Sequence, residues 1–289
     1  MLWLQLAITG LQTGALYALT AVGFSLIFGS TRIFHFAHGA TFVLAAYIFY
    51  FCINEGYGPL LGILGATAAA IGFGVFMDRL IYAPIQRHEG SFFTVFVASF
   101  GVGIALQNLI GMIFGRSFVT VTTSLSRSVK MAEGIYVSPL AWVAVGCALV
   151  FFIGLQLFLK RTHVGMSLRA LADNPDLIGV FGLSPRRIST SAFALGSLLV
   201  VPAAVITSAT SGLNPAIGHH VMLISLAATI VGGIGSTGGA LVAGFGLGLA
   251  ESLALLEFES QWTEAVTFAI LYLFILIYPS GLFGRAATS

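Results

Sequence analysis

The sequence is short of charge. Only 8% of its 289 residues are Asp, Glu, Lys or Arg, while 58% are hydrophobic; a soluble domain carries roughly 25% charged residues. So small a polar complement cannot clothe a water-facing surface, which excludes a soluble globular protein and points to an all-α integral membrane protein. Lysine is scarcest: the chain has only Lys130 and Lys160, preceded by Val129 and Leu159. A phosphate-binding P-loop needs Gly-Lys followed by Ser or Thr, so this polypeptide is not expected to hydrolyse ATP. Cys52 and Cys147 both lie inside apolar runs, read as small buried side chains, and exclude a disulfide framework. No HExxH occurs, and no carboxylate stands near His35 and His38 or near His219 and His220, so neither a metal nor a cofactor is expected. With a net charge of +2 and its cations at the edges of apolar runs, the chain gives no sign of a nucleic-acid partner.

What the chain has is long apolar runs. At roughly 20 residues per span, its length holds about eight transmembrane helices with short loops, as a single transmembrane domain over 1–289. The runs are 3–29, a broken second one ending at 53, 60–83, 92–115, 139–159, one continuing to 211 through Pro202, 240–256 after a half-length run at 221–230, and 263–278. The first run is too long for a cleaved signal peptide and lacks its basic start, so it is expected to remain as a helix. Gly10, Gly14, Ala18 and Ala21, about one turn apart, form a face on which a second helix can pack closely. Gln107 and Asn108 are costly against lipid and are expected to face other helices. Residues 116–138, rich in Ser and Thr and carrying Arg127, Lys130 and Glu133, show no periodic pattern.

One stretch breaks the apolar monotony. Residues 160–187 hold Lys160, Arg161, Arg169, Asp173, Asp176, Arg186 and Arg187, 7 of the 22 charged residues in about a tenth of the length. Leu168, Leu171 and Ala172 make an apolar stripe on a short helix ending near Asp173. Asn174-Pro175 then reads as an N-cap followed by proline at the first helical position of a second short helix, with Ile178 and Phe181 on one side and Gly182 as its left-handed stop. Two amphipathic helices outside the bilayer call for a partner surface. Placing them in the cytoplasm puts Arg32, Arg79, Arg87, Lys160, Arg161, Arg169, Arg186 and Arg187 on the same side, joined by Arg285 if the glycine-rich break is a turn between complete spans.

Two breaks stand out within the apolar runs. His35-Phe36-Ala37-His38-Gly39 interrupts the second run, and glycines at 232, 233, 235, 238 and 239 interrupt the seventh. Regions 23–53 and 224–252 look alike in outline, and paired interruptions point to a transport pathway or gate there, lined by His35, Phe36, His38, Gly39, Gly232, Gly233, Gly235, Gly238 and Gly239.

Several motifs together resemble the membrane-spanning subunits of ATP-binding-cassette importers for branched-chain and related amino acids, the LivH-like permeases. They are Gly10-Leu11 with Gly14-Ala15-Leu16-Tyr17-Ala18-Leu19; Phe36-Ala37-His38-Gly39-Ala40 with Ala46-Tyr47; Arg169-Ala170 with Asp173 and Gly182; Gly232-Gly233-Ile234-Gly235-Ser236 with Gly239; and Pro279 with Gly281-Leu282-Phe283-Gly284. The resemblance implies alternating access in a bacterial inner membrane. It also makes 160–187 a coupling loop docked on a separate ATPase through Arg169, Ala170, Asp173, Asn174, Gly179 and Gly182. The partners it implies are a second, LivM-like permease, two ATP-binding-cassette ATPase subunits and a periplasmic solute-binding protein. The family usually has Asn where this chain has His35; were that residue to touch solute, the substrate would differ from leucine. Two other readings of the residues are an autonomous secondary transporter, which needs an ion-coupling intramembrane carboxylate, and an intramembrane enzyme using the histidines.

Overall fold

Hydrocarbon offers no hydrogen-bond partner, so each apolar run closes its backbone bonds internally as a helix. The computed structural model describes residues 2–88, 90–132 and 135–284. In chain order its helices are α1 (Leu2–Thr31), α2 (His38–Asn54), α3 (Gly58–Phe76), α4 (Ala83–Arg87), α5 (Phe92–Phe114) and α6 (Pro139–Arg161). Then come α7 (His163–Asp173), α8 (Pro175–Val180), α9 (Pro185–Thr210), α10 (Ile217–Gly232), α11 (Thr237–Ala254) and α12 (Thr263–Ile277). Seven of the resulting rods are long and apolar enough to cross a membrane: α1, α3 continued into α4, α5, α6, α9, α11, and α12 with the turn before it. α2 and α10 are shorter, and each follows a non-helical stretch. These nine segments accord with the expectation of about eight spans, and the protein is an all-α integral membrane protein.

α1 is the central post, packed against α6, α7, α9, α10 and α11. The small-residue face expected on it is real. A Cβ on Gly14 would lie 2.8 Å from Phe245 Cα, one on Gly10 would lie 2.9 Å from Leu249 Cα, and one on Gly244 would lie 2.5 Å from Ala18 Cα, so α1 and α11 touch backbone to backbone. On another side of α1, a Cβ on Gly23 would lie 2.6 Å from the Gly196 carbonyl of α9. Lipid provides no hydrophobic drive between helices, and such close approach supplies dispersion contact in its place.

The bundle has two distinct ends. Arg32 donates to the Ala172 carbonyl at 3.4 Å, Arg186 reaches the Arg79 carbonyl at 3.5 Å, Lys160 and Arg169 line one cleft, and Arg87 lines another with Arg186. This is the basic end; Arg285 lies outside the described residues. At the opposite end, the segment read as unpatterned contains a two-stranded antiparallel hairpin, β1 (Val129–Ala132) and β2 (Ile135–Val137), with Val129 opposite Val137 and Lys130 opposite Tyr136. Ile135 and Val137 point inward and Tyr136 outward, a period-2 alternation too short to stand out in the sequence. Gln5 of α1 clamps the hairpin by donating to the Tyr136 carbonyl (2.7 Å) and accepting from its N–H (2.9 Å). Glu133, expected in this loop, lies outside the described residues. Cys52 and Cys147 are free and partly, not fully, buried.

Candidate functional site

The polar segment forms two helices at the expected places. Thr162 caps α7 by accepting the Gly165 N–H at 3.0 Å, Pro175 opens α8, Asn174 has the extended backbone of a residue preceding a helix, and Gly182 follows with φ +72°. The apolar stripe meets a partner different from the one expected. Leu168, Leu171 and Ile178 are buried with Val22, Leu26, Leu155, Leu159 and Ile188, so α7 and α8 are fastened to their own bundle. At about 1.5–3 kcal/mol for each buried aliphatic side chain, the three anchor the segment firmly. Phe181, read as sharing a side with Ile178, is instead 76% exposed beside Val180 at 80%, because α8 ends at Val180 and the chain turns at Gly182. Arg169, Ala170, Asp173, Asn174 and Gly179 are exposed, with Asp173 and Asn174 engaged in interactions of their own.

The first break is an extended return into the bundle. Arg32, at φ +58°, turns the chain out of α1, and residues 32–37 run back along that helix. His38 Nε2 donates to the Thr20 carbonyl at 3.0 Å. Thr20 is eleven residues before the end of α1, so α2 starts about 16 Å inside the basic end. A chain of hydrogen bonds fixes that start. His35 Nδ1 donates to the Tyr82 hydroxyl (2.7 Å), Tyr82 donates to Ser99 Oγ (2.7 Å), and Ser99 Oγ accepts the Ala37 N–H (3.0 Å). His35 and His38 are 0% exposed, and the second nitrogen of each ring is buried without a partner. His35 is enclosed by Tyr82, Phe193 and His38, so in this conformation it touches no solute. Phe36 is half-buried and belongs to an aromatic row, with Phe96 at 4.6 Å and Phe100 at 6.2 Å between ring centroids.

α10 starts in the same manner. After α9, residues 211–216 re-enter from the hairpin end, with Leu213 bridged to Val119, and α10 then begins beside α2. A Cβ on Gly39 would collide with the Gly218 carbonyl, and one on Gly218 would lie 2.7 Å from the Gly39 carbonyl. Two short helices thus cross at their N-terminal glycines within the bundle. In element order α9–break–α10 matches α1–break–α2: a long helix, six residues outside any helix, then a short helix.

The second glycine break is a tight turn at the basic end. Gly233 and Gly235 have φ +102° and +82°, a Cβ on Gly232 would lie 2.5 Å from Ala240 N, and one on Gly29 would lie 2.9 Å from Gly235 Cα. Leu282 and Phe283 donate to the Val231 and Gly232 carbonyls at 2.9 and 3.0 Å, closing the end of α10. Two motifs far apart in sequence, Gly232–Ser236 and the stretch after Pro279, are thereby one structure. Gly232, Gly233 and Gly239 pack tightly, a Cβ on Gly238 would make ordinary contact with Phe152 at 3.9 Å, and Gly235 lines a cleft with Arg169, Lys160 and Thr237.

Two polar constellations escaped the sequence reading. Asp78, 3% exposed, accepts from Ser189 Oγ (2.7 Å) and Thr190 Oγ1 (2.5 Å), tying the end of α3 to the start of α9. The π-helical turn Met77–Tyr82 widens the helix so that Asp78 and Tyr82 both face inward. Tyr17 donates to Glu251 at 2.8 Å and meets His220 at 3.2 Å, while His220 Nδ1 lies 3.0 Å from Glu264, linking α1, α10, α11 and α12. Of the two amides expected to face other helices, Gln107 does so against Gly218, whereas Asn108 is exposed, donates to the Ile104 carbonyl of its own helix and accepts from Arg116 at 3.2 Å on the rim of a cavity.

Known proteins share this sequence over nearly its full length. The permease protein BraD of the high-affinity branched-chain amino acid transport system of Pseudomonas aeruginosa is 29% identical over 297 residues, covering 98% of this chain and 96% of that protein. The corresponding LivH of Escherichia coli K12 is 27% identical with the same coverage. A probable LivH of Methanocaldococcus jannaschii is 25% identical, covering 93% of this chain and 89% of its own. Residues 6–275 match the family described as the permease component of branched-chain amino acid transport systems, and the chain, from the close-packed glycines of α1 to the last span, belongs to that family.

Proposed function

We propose that this chain is the membrane-spanning permease subunit of an ATP-driven importer for branched-chain or related amino acids. The observation that carries the reading is the family match across 6–275, which takes in both re-entrant breaks and the whole α7–α8 segment. The basic end faces the cytoplasm of a bacterial inner membrane, in keeping with the excess of Arg and Lys there. The full chain works as one permease domain beside a second, LivM-like permease, two ATP-binding-cassette subunits that hydrolyse the nucleotide, and a periplasmic solute-binding protein. The chain transports and is not itself an enzyme; fully buried His35 and His38 give an intramembrane His-dependent reaction no support.

Docking on the ATPase uses the exposed face of α7–α8, with Arg169, Ala170, Asp173, Asn174 and Gly179 around the apolar tip of Val180 and Phe181 and the turn at Gly182. Because Leu168, Leu171 and Ile178 bind this platform to α1, α6 and α9, movement of the ATPase pair is passed to the bundle as a push on those helices. Arg32, bonded to Ala172, carries the same push to the 32–37 break, and Gly235 lies beside Arg169 on the other break. Alternating access then amounts to rocking of the two half-helices α2 and α10 about their glycine crossing, with Phe36 in the gate. The test is reconstitution in proteoliposomes with the three kinds of companion protein. L-Leucine uptake is expected only with ATP, the ATPases and the binding protein together; uptake driven by the chain alone in an ion gradient overturns the reading.

A further inference from the structure

At the hairpin end, α5, the segment after it and the re-entrant start of α10 line an open cleft of about 410 Å³. Its surroundings are out of keeping with lipid. The outward face of α5 presents Phe93, Val97, Phe100, Ile104 and Met112, yet the cavity is lined by Gln107, Asn108, Arg116, Asn214 and His219. A buried polar side chain such as Gln107 persists where it meets protein, water or solute.

The chemistry of the lining is specific. No lining residue is acidic, so the Arg116 guanidinium, which gives one hydrogen bond to Asn108 Oδ1 at 3.2 Å, has no carboxylate in the cavity. Asn214 Oδ1 is buried without a partner. Gln107 is 93% buried and its amide makes no hydrogen bond to another described residue, although it opens on the cavity. A buried amide or carbonyl without a partner costs about 1–3 kcal/mol, a cost that a bound polar group would relieve. The wall also includes Phe118 and Pro215, which offer apolar surface.

We propose that this cavity is a subsite for the α-amino acid zwitterion in transit. Arg116 takes the carboxylate, the Gln107 amide oxygen accepts from the ammonium, and Phe118 and Pro215 face the aliphatic side chain. A sugar would leave the guanidinium without its anion. His219 meets Phe100 at 6.3 Å, Phe100 meets Phe96 at 6.2 Å, and Phe96 meets Phe36 at 4.6 Å between ring centroids, so an aromatic row runs from the cleft along α5 to the first break. The subsite rests on the permease reading, and the experiment separates the two.

In proteoliposomes holding the complete transporter, L-leucine uptake and ATP hydrolysis stimulated by the loaded binding protein are measured in parallel for wild type, R116Q, R116K and Q107L. R116Q and Q107L are expected to lower the leucine imported per ATP about tenfold or more, with R116K recovering part of it. Wild type without ATP-dependent uptake sinks the permease reading itself. Unchanged leucine per ATP in R116Q and Q107L sinks the subsite alone. Should those variants fail to assemble, Ala216→Cys in a C52S/C147S background decides: labelling by a membrane-impermeant thiol reagent is expected to slow severalfold under saturating L-leucine, and labelling indifferent to leucine refutes the subsite.

Discussion

Replacing Gly39 by alanine tests the crossing of α2 and α10 directly. The added Cβ falls on the Gly218 carbonyl and within 3.0 Å of Met222 Cβ, and the carbonyl is backbone held in a helix that cannot swing aside. Gly218 has no slack in return, since a Cβ there would lie 2.7 Å from the Gly39 carbonyl and 2.8 Å from Val43 Cγ2. Restoring ordinary van der Waals separation requires the two helices to part by about 1 Å, which forfeits a quarter to a half of the dispersion along the contact. Overpacking of this kind costs about 1–3 kcal/mol, and the backbone partner puts G39A at the upper end, about 3 kcal/mol. Gly72 of α3 is the control, because a Cβ there meets nothing within 4 Å. The assay is thermal unfolding of the detergent-purified protein followed by tryptophan fluorescence and size-exclusion chromatography. G39A is expected to melt several degrees lower than wild type and G72A to match it. If G39A unfolds at the temperature of G72A, the backbone contact is not what sets the position of the two half-helices.

Three other substitutions probe the remaining links. Asp78→Ala strips the acceptor from Ser189 and Thr190 and is expected to cost about 2–4 kcal/mol in thermal or denaturant unfolding, whereas D78N, whose amide still bonds to hydroxyls that rotate, should cost about 1 kcal/mol; equal losses would show that the hydroxyl contacts contribute nothing. Tyr17→Phe removes the donor to Glu251 and is expected to lower stability by about 1–3 kcal/mol, with the loss reduced in the Y17F/E251L double variant; additive effects of the two changes would refute the coupling. Gly182→Val forces a β-branched residue into φ +72° with nothing within 4 Å of its Cβ, so the chain should reach the membrane at normal abundance while ATP-dependent leucine uptake is lost. Normal uptake by that variant would exclude the turn from coupling to the ATPase.

Composition and periodicity were enough to establish what the chain is made of. A membrane protein of stacked helices follows from 8% charge, the close face of α1 from Gly10, Gly14 and Ala18, and two short helices after residue 160 from the Leu168–Leu171 stripe, Asn174-Pro175 and Gly182, because each of these depends on neighbours within a turn or two. Destinations were another matter. Leu168 and Leu171 form the same stripe whether a foreign protein or the chain's own α1 covers them, and only the packed bundle shows that it is α1, α6 and α9. The two glycine breaks look equivalent in sequence, yet one returns an irregular, turn-containing stretch to the middle of the bundle and the other is a turn sealed by residues 278–284. Glycine permits close approach without specifying what approaches. The hydrogen bonds from His35 through Tyr82 to Ser99, and from Ser189 to Asp78 across 111 positions, join residues that local pattern cannot relate. The sequence by itself therefore determined the solvent, the helices and their ends, which are local free-energy choices; the tertiary structure alone decided which polar side chains share a site, since that depends on the order in which helices stack across the membrane.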